Sequence, residues 1–195
     1  MSVRRHRRLV GMPPWYAAVL AVVALQRIRE LSISRRNSRG AGGSPSAPRT
    51  YALIVAAHLG LFVLPPLEIR LAHRRPGRRA AAAWLGVLAA ATGLRWWSIR
   101  SLGRSWNVRA QVPDGLEPVT SGPYRFLRHP NYLALLLEFV ALPMAGGAWL
   151  SAIGLSALNG AALAVRIRAE EAQLERSPAY REAFRGKARL VPGIF

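Results

Sequence analysis

The strongest constraint on this chain is the segregation of its apolar residues from its charged residues. Half of the 195 residues are hydrophobic (51%), yet the formal net charge is +19. Soluble amphipathic helices mix the two classes along one element, whereas a bilayer excludes charges from its hydrocarbon centre. Here arginine-rich connectors separate five apolar segments, at approximately 13–28, 51–69, 80–97, 132–147 and 149–165. The pattern predicts an all-α integral membrane protein with about five transmembrane helices in a single membrane domain, residues 1–195.

The lengths of the segments and their connectors agree with this prediction. An 18-residue helix such as 80–97 is about 27 Å long, close to the thickness of the hydrocarbon core. The first segment follows four arginines but has no small-x-small cleavage site, so we expect it to be retained as a span. The Gly-, Ser- and Pro-rich residues 37–48 and the basic residues 74–79 predict turns. Pro65-Pro66 is expected to kink or end the second helix.

The distribution of basic residues predicts how the chain is oriented in the membrane. If the C-terminus is cytoplasmic, 19 of the 28 Lys and Arg residues lie on the cytoplasmic side, in segments 27–49, 95–128 and 166–189. The opposite side then carries 9, in segments 1–12 and 70–79. Cytoplasmic loops of membrane proteins carry the excess of Lys and Arg. The sequence therefore predicts a multi-pass protein of a bacterial inner or plasma membrane with a cytoplasmic C-terminus.

The composition limits the kinds of site and binding partner that this chain can have. The chain has no cysteine, which excludes disulfides, thiolate metal sites and a cysteine nucleophile, and no metal site is expected. The arginines occur in every connector rather than on one face, which favours anionic lipid headgroups over nucleic acid. We expect membrane lipids and a lipophilic small molecule as partners, and no nucleic acid. The sequence does not fix an oligomeric state.

The most informative geometry is predicted around the last two apolar segments. Only Gly146-Gly147-Ala148 separates them, so they are expected to form a tight antiparallel hairpin. The polar run 122–132 leads into this hairpin, and the polar run 166–171 leads out of it. A hairpin returns the chain to the face that it left, so the two polar runs must meet at one membrane surface. By the arginine distribution, that surface is cytoplasmic.

The residues that converge there suit a zwitterionic cofactor with an adenosine end, such as S-adenosylmethionine. Its carboxylate is best bound by Arg, His or N–H groups at a helix start. Its ammonium and ribose hydroxyls favour carboxylates, and its sulfonium favours aromatic faces. Simpler roles are open for each residue alone. Arg125, Arg128, Arg166 and Arg168 can snorkel to headgroups, the aromatic residues can form an interfacial belt, and Arg166 with Glu170 can form an i,i+4 pair.

Four stretches of this sequence and two single residues resemble a known family. Gly122-Pro-Tyr-Arg-Phe-Leu-Arg-His-Pro-Asn-Tyr-Leu133, followed by Arg166-Ile-x-x-Glu-Glu-x-x-Leu174 and Tyr180, is similar to the C-terminal half of isoprenylcysteine carboxyl methyltransferases. Upstream, the segment 29–37, His58 and the segment 102–109 resemble a bacterial branch associated with type III polyketide synthases. The resemblance covers the chain from about residue 27 to its end.

The resemblance implies a small helical membrane enzyme whose S-adenosylmethionine pocket lies at the cytosolic end of the last hairpin. Residues 1–110 would then supply helices and connectors, and residues 111–195 the cofactor-binding region. Carried over onto this sequence, the cofactor-binding residues are Tyr124, Arg128, His129, Pro130, Tyr132, Arg166, Glu170 and Glu171.

The molecule that accepts the methyl group is predicted less directly. Ala134 stands where prenylcysteine enzymes carry Gly, which favours O-methylation of a long-chain alkylpyrone or alkylresorcinol hydroxyl over a prenylcysteine-like carboxylate. A carboxylate needs only an arginine such as Arg128 to orient it, whereas a hydroxyl can require a base. His129 or one of the Glu pair can serve as that base. Glu138, about 9 Å below Tyr132 within the fourth segment, is a further catalytic candidate because an acid at that depth is costly. A structural acid that faces Asn159 is the alternative for Glu138.

Two other functions fit parts of the pattern. Membrane sterol-type reductases share an Arg-His-Pro-x-Tyr segment and use NADPH. A non-enzymatic basic membrane scaffold explains both polar runs as headgroup contacts. Weaker functional candidates within the apolar segments are His58, Glu68 and Gln26.

Overall fold

The computed structural model describes residues 11–39, 47–73, 75–110 and 117–191 of the chain. Within these ranges the regular structure is helical, which confirms the predicted all-α class. The α-helices are α1 (Pro14–Ser38), α2 (Pro48–Leu71), α3 (Arg78–Leu102), α4 (Pro130–Ala145), α5 (Trp149–Leu174) and α6 (Pro178–Ala183). Single 3-10 turns follow α3 at Gly103–Ser105 and precede α4 at Gly122–Arg125. Each predicted apolar segment corresponds to one of the five long helices.

The helices extend beyond the apolar segments into the basic connectors. α1 continues to Ser38, about ten residues past the predicted end of its apolar segment. Of the connector predicted at 37–48, residues 40–46 lie outside the described part, as does Arg74 of the predicted basic turn. α2 continues through Pro65 and Pro66 to Leu71, so the proline pair does not end the helix. Since proline has no N–H to donate, two carbonyl groups of this helix lack their usual partners.

Two of the described helices are long and apolar enough to cross a bilayer by themselves. They are α2, over Thr50–Leu71, and α5, over Trp149–Leu174. α4 is apolar but has 16 residues, about 24 Å. The outer faces of α1, α2 and α5 expose large apolar side chains such as Leu25, Leu59 and Ile153. Surfaces of this kind indicate contact with lipid or protein rather than water.

The predicted hairpin of α4 and α5 is confirmed and forms the centre of the fold. α4 packs between α3 and α5, and α2 packs on the other side of α5. Gly147 adopts a φ of +80° at the turn, a conformation that favours glycine. A Cβ atom on Gly146 would lie 2.6 Å from Ile69 and 2.8 Å from Tyr16, so glycine permits this close approach. The Tyr16 hydroxyl donates to the carbonyl oxygen of Leu142 (3.1 Å), which ties α1 to the same end of α4.

Glu68 of α2 fixes the start of α5. Its carboxylate accepts hydrogen bonds from the backbone N–H groups of Leu150 (3.2 Å) and Ser151 (2.7 Å) and from the Ser151 hydroxyl (2.7 Å). The first N–H groups of a helix lack intrahelical partners, and a carboxylate there also complements the helix dipole. Glu68 therefore has a structural role.

Candidate active site

A cavity of about 320 Å³ lies where α4 begins and α5 ends, and it extends between the helices toward α2. Its polar end is lined by Arg128, His129, Asn131, Tyr132, Arg166 and Glu170, together with Tyr124, Tyr180 and Phe184. Its apolar end is lined by Ile54, Val55, Leu59, Phe62, Leu135 and Leu163. Charged groups of Arg27, Glu30 and Arg95 lie in the wall. The cavity thus joins a polar site to an apolar one.

The C-terminal segment holds the loop before α4 in place. The backbone N–H groups of Arg128 and His129 donate to the carbonyl oxygens of Ala188 and Arg189, both at 2.9 Å. The Arg128 Nε donates to the carbonyl oxygen of Lys187 (2.9 Å). These bonds join residues about 60 positions apart and hold the loop that ends at His129. The next residue, Pro130, is the first residue of α4. Proline suits that position because its missing N–H is not needed there.

His129 and Glu171 form one buried contact between the two polar runs. The His129 Nε2 lies 3.2 Å from Glu171 Oε1, and both side chains are about 95% buried. Glu171 also accepts from Arg189 Nε at 2.5 Å and lies 3.6 Å from Arg128 Nη1. The imidazole stacks on the Tyr132 ring, with centroids 5.4 Å apart. Glu171, which does not line the cavity, therefore fixes the orientation of the His129 ring, which does.

Tyr132 joins the two runs a second time. Its hydroxyl donates to Glu170 Oε2 at 2.6 Å and accepts from Arg166 Nε at 3.0 Å. Arg166 also donates to the carbonyl oxygen of Val108, in the loop after α3. The expected i,i+4 pair of Arg166 and Glu170 is thus bridged by a hydroxyl from α4, and these groups face the cavity.

Two tyrosines close the polar end from outside the long helices. Tyr124 lies in the 3-10 turn before α4, and Tyr180 lies in α6. Burial raises the pKa of both phenols, and the nearby carboxylate of Glu170 raises the pKa of Tyr124 further. Both hydroxyls therefore remain protonated and able to donate.

A buried network of charges crosses the cavity wall. Glu30 of α1 accepts from Arg95 Nε and Nη2, both at 2.9 Å, and from Arg27 Nη1 at 2.6 Å. Arg27 Nη2 donates to Glu138 Oε2 at 2.6 Å. The four groups come from α1, α3 and α4, and their formal charges cancel. Arg95 Nη1 is buried without a hydrogen-bond partner among the described residues.

His58 lies in the same wall, on α2. Its Nδ1 is 2.7 Å from the carbonyl oxygen of Ile54, and its ring packs edge-on against Phe139 with centroids 5.0 Å apart. Because a carbonyl oxygen only accepts, Nδ1 must carry a proton. His58 is thus held in one orientation beside the charge network.

The structure brings most of the predicted cofactor residues together. Those that line the cavity are Tyr124, Arg128, His129, Tyr132, Arg166 and Glu170. Pro130 and Glu171 lie behind this lining, the first as the start of α4 and the second as the partner of His129. Arg125 and Arg168, which also occur in the two runs, are exposed.

Glu138, the further catalytic candidate, lies apart from the other predicted site residues. Its carboxylate is 2% exposed, binds Arg27 and does not line the cavity. The charge of Arg27 offsets the cost of the buried acid, so its depth does not indicate the predicted catalytic role. Gln26 likewise donates to Glu30 at 3.0 Å and belongs to the network.

The sequence pattern does not predict this network. Arg27 and Arg95 fall among the basic residues that predict the cytoplasmic side, but the structure places both largely buried in the bundle. Arg95 falls inside the apolar segment predicted at 80–97, and this position was the signal that could have marked it as buried.

Comparison with known proteins identifies a family that this chain matches. A model of the isoprenylcysteine carboxyl methyltransferase (ICMT) family matches residues 84–176, from α3 to the end of α5. "Uncharacterized protein YpbQ" from Bacillus subtilis (strain 168) is 31% identical over 163 residues, which are 80% of this chain and 95% of that protein. These matches, and not the geometry alone, indicate a membrane methyltransferase. The chain belongs to the ICMT family.

The residues of the polar end fit the methyl donor that this family implies, S-adenosylmethionine. The cationic and donor groups of Arg128, His129 and Arg166 match its carboxylate. The Glu170 carboxylate and the Asn131 Oδ1, a buried acceptor without a partner among the described residues, match its ammonium and hydroxyl groups. The aromatic rings of Tyr124 and Tyr180 match its cationic sulfonium and its adenine.

Proposed function

We propose that the protein is an S-adenosylmethionine-dependent O-methyltransferase with a lipophilic acceptor. One observation carries this proposal: the cavity that holds the polar residues of both motif runs continues into an apolar channel beside α2. A soluble cofactor suits the first end and an alkyl chain suits the second. Neither the reductase nor the scaffold alternative is favoured by membership in a methyltransferase family.

The cofactor site would use residues from both ends of the hairpin. Arg128, His129 and Arg166 bind the carboxylate, and Glu170 binds ammonium or hydroxyl groups. Glu171 positions His129 through their 3.2 Å contact. When bound, S-adenosylmethionine supplies a methyl group activated by a sulfonium. The protein contributes chiefly alignment and the exclusion of water, because methyl transfer is an in-line displacement.

The acceptor would enter from the lipid side. Val55 and Leu59 of α2 line the cavity and are also exposed on the outer surface, so an alkyl tail can lie across them and remain in lipid. Removal of each CH₂ group from water is worth about 0.8 kcal/mol, but an alkyl tail in the bilayer is already out of water and gains nothing more from the protein. The protein therefore needs to hold only the polar head, for which Arg95 Nη1 is an available donor. We propose a long-chain alkylpyrone or alkylresorcinol as the acceptor, with a prenylcysteine-like carboxylate as the second candidate.

The same proposal includes the topology. All five long helices would cross a bacterial inner or plasma membrane, with the C-terminus and the cofactor pocket on the cytoplasmic side. α1 and α3 can cross because Glu30 and Glu138 neutralise Arg27 and Arg95. Once those two arginines and the buried Arg166 are set aside, the remaining basic residues still favour a cytoplasmic C-terminus.

A paired assay tests the function. Purified protein in nanodiscs receives labelled S-adenosylmethionine and either an alkylresorcinol or a farnesylcysteine analogue. We expect label in the alkylresorcinol as a methyl ether, and a slower reaction with the carboxylate. Faster methylation of farnesylcysteine would overturn the acceptor. Transfer to neither compound, together with no binding of S-adenosylmethionine, would overturn the methyltransferase.

A further inference from the structure

We propose that His58 is the base that takes the proton from a hydroxyl acceptor, and hence that this site is built for a phenol or enol rather than a carboxylate. This inference rests on the proposed methyltransferase function. It assigns to His58 a catalytic role that neither His129, bound to Glu171, nor Glu138, bound to Arg27, is free to fill.

The first support is the fixed orientation of the imidazole. The bond from Nδ1 to the Ile54 carbonyl oxygen places the proton on Nδ1, so the lone pair of the neutral ring lies on Nε2. No described residue hydrogen-bonds Nε2, and this atom is not among the fully enclosed unpartnered atoms. Because His58 lines the cavity and Nε2 is not enclosed, this lone pair is available to a molecule bound there.

The second support is the position of His58 along the cavity. Leu59 and Val55, its neighbours on α2, are apolar residues of the cavity lining, and Arg27 and Glu30 of the same lining interact electrostatically with His58. His58 therefore lies where the apolar lining meets charged groups. An amphiphile whose tail lies on α2 presents its polar head at that junction.

The third support is the charge balance of the wall. Arg27 and Arg95 are matched by Glu30 and Glu138, so the network offers no net positive charge. A carboxylate placed against it would be an uncompensated buried anion, which is costly. A hydroxyl arrives neutral and is less costly to bury when it donates a hydrogen bond. The wall therefore favours an acceptor that becomes nucleophilic only at the moment of reaction.

The proposed step balances as follows. The acceptor O–H proton moves to His58 Nε2, and an oxygen electron pair forms the bond to the methyl carbon of the sulfonium donor. The bond between that carbon and sulfur breaks, and its electron pair remains on sulfur. The products are a methyl ether, a neutral thioether and an imidazolium, which returns its proton to water after product release.

The test compares two replacements of His58 in the full-length protein in nanodiscs. In His58→Asn the amide N–H can still donate to Ile54, but the lone pair of Nε2 is gone. In His58→Gln a carbonyl oxygen can accept a hydrogen bond near that place but cannot take a proton. His73→Asn, two residues after the end of α2 and outside the cavity lining, is the matched control.

One readout requires no methyl donor. A long-chain nitrophenol, whose visible absorption reports loss of its proton, is added to each protein alone. A nitrophenol is much more acidic than an alkylresorcinol, so it can pass its proton to Nε2 without a methyl donor. We expect the bound dye to be ionised to a greater extent in the parent and in His73→Asn than in either His58 variant. Equal ionisation in all four proteins would overturn the role of His58 as the proton acceptor.

The second readout is transfer to an alkylresorcinol. General bases contribute about 10²–10⁴-fold, so both His58 variants should lose at least about 100-fold in kcat with unchanged affinity for S-adenosylmethionine. A more acidic, ring-halogenated resorcinol should recover part of the loss. Full activity of either variant, no recovery by the acidic acceptor, or a parent that methylates only farnesylcysteine would each overturn the inference. The last result would leave the methyltransferase assignment intact, whereas failure of the parent to bind S-adenosylmethionine would remove the assignment itself.

Discussion

Replacement of Glu30 by Gln should destabilise the protein severely, because Glu30 is the centre of the buried charge network. The Glu30 carboxylate is 4% exposed and accepts four hydrogen bonds, from Gln26, from Arg27 and twice from Arg95. Glu30→Gln leaves two buried guanidinium groups with one carboxylate, that of Glu138. Removal of one partner from a buried pair costs about 3–5 kcal/mol, whereas exposed pairs contribute about 0–1 kcal/mol.

The assay is the free energy of unfolding in detergent, measured by denaturant titration. Glu182→Gln, on the exposed face of α6, is the control and should change the free energy by less than about 0.5 kcal/mol. The double variant Glu30→Gln/Arg95→Met, which removes the uncompensated charge, should recover much of the loss. A Glu30→Gln variant as stable as the control would refute the view that this network holds α1 against α3 and α4.

Three further predictions follow from the fold. Since the chain has no cysteine, a single cysteine introduced as Arg185→Cys or Arg79→Cys can be labelled selectively. We expect impermeant reagents to reach these two positions from opposite sides of the membrane, and labelling of both from one side contradicts the five-span topology. Gly122→Ala should cost at least about 1 kcal/mol in unfolding free energy, because φ is +60° and the new Cβ would lie 2.1 Å from the Ser101 hydroxyl; an unchanged stability contradicts this packing. Glu68→Gln should cost about 1 kcal/mol by weakening the bonds to the N–H groups that begin α5, and wild-type stability would rule out its capping role.

The α4–α5 hairpin could be predicted from sequence because its causes are local. Three small residues, Gly146-Gly147-Ala148, cannot span more than a tight turn, and that turn determines which polar runs meet. The pairing of His129 with Glu171 and of Tyr132 with Glu170 follows from this geometry. The all-α class followed similarly from the exclusion of charge from the apolar segments.

The pairings within the charge network could not be predicted, because they join residues far apart in sequence. Glu30 and Arg95 are 65 positions apart, and Arg27 and Glu138 are 111 apart. A basic residue near a helix end has the same local pattern whether it reaches a headgroup or a buried carboxylate. The hydrogen bonds that Arg128 and His129 donate to carbonyl oxygens of residues 187–189 could not be predicted for the same reason. They depend on how the chain returns to the bundle after α6.

Calorimetric titration of the purified protein with S-adenosylmethionine decides whether the polar runs 122–132 and 166–171 together form the cofactor pocket. We predict that His129→Ala and Glu171→Gln each weaken binding at least tenfold, about 1.4 kcal/mol, because each removes a charge-assisted contact from a largely buried site. His73→Asn should bind as the parent does, and NADPH should not compete. Parent-like affinity in both site variants, or binding of NADPH instead, would contradict the account.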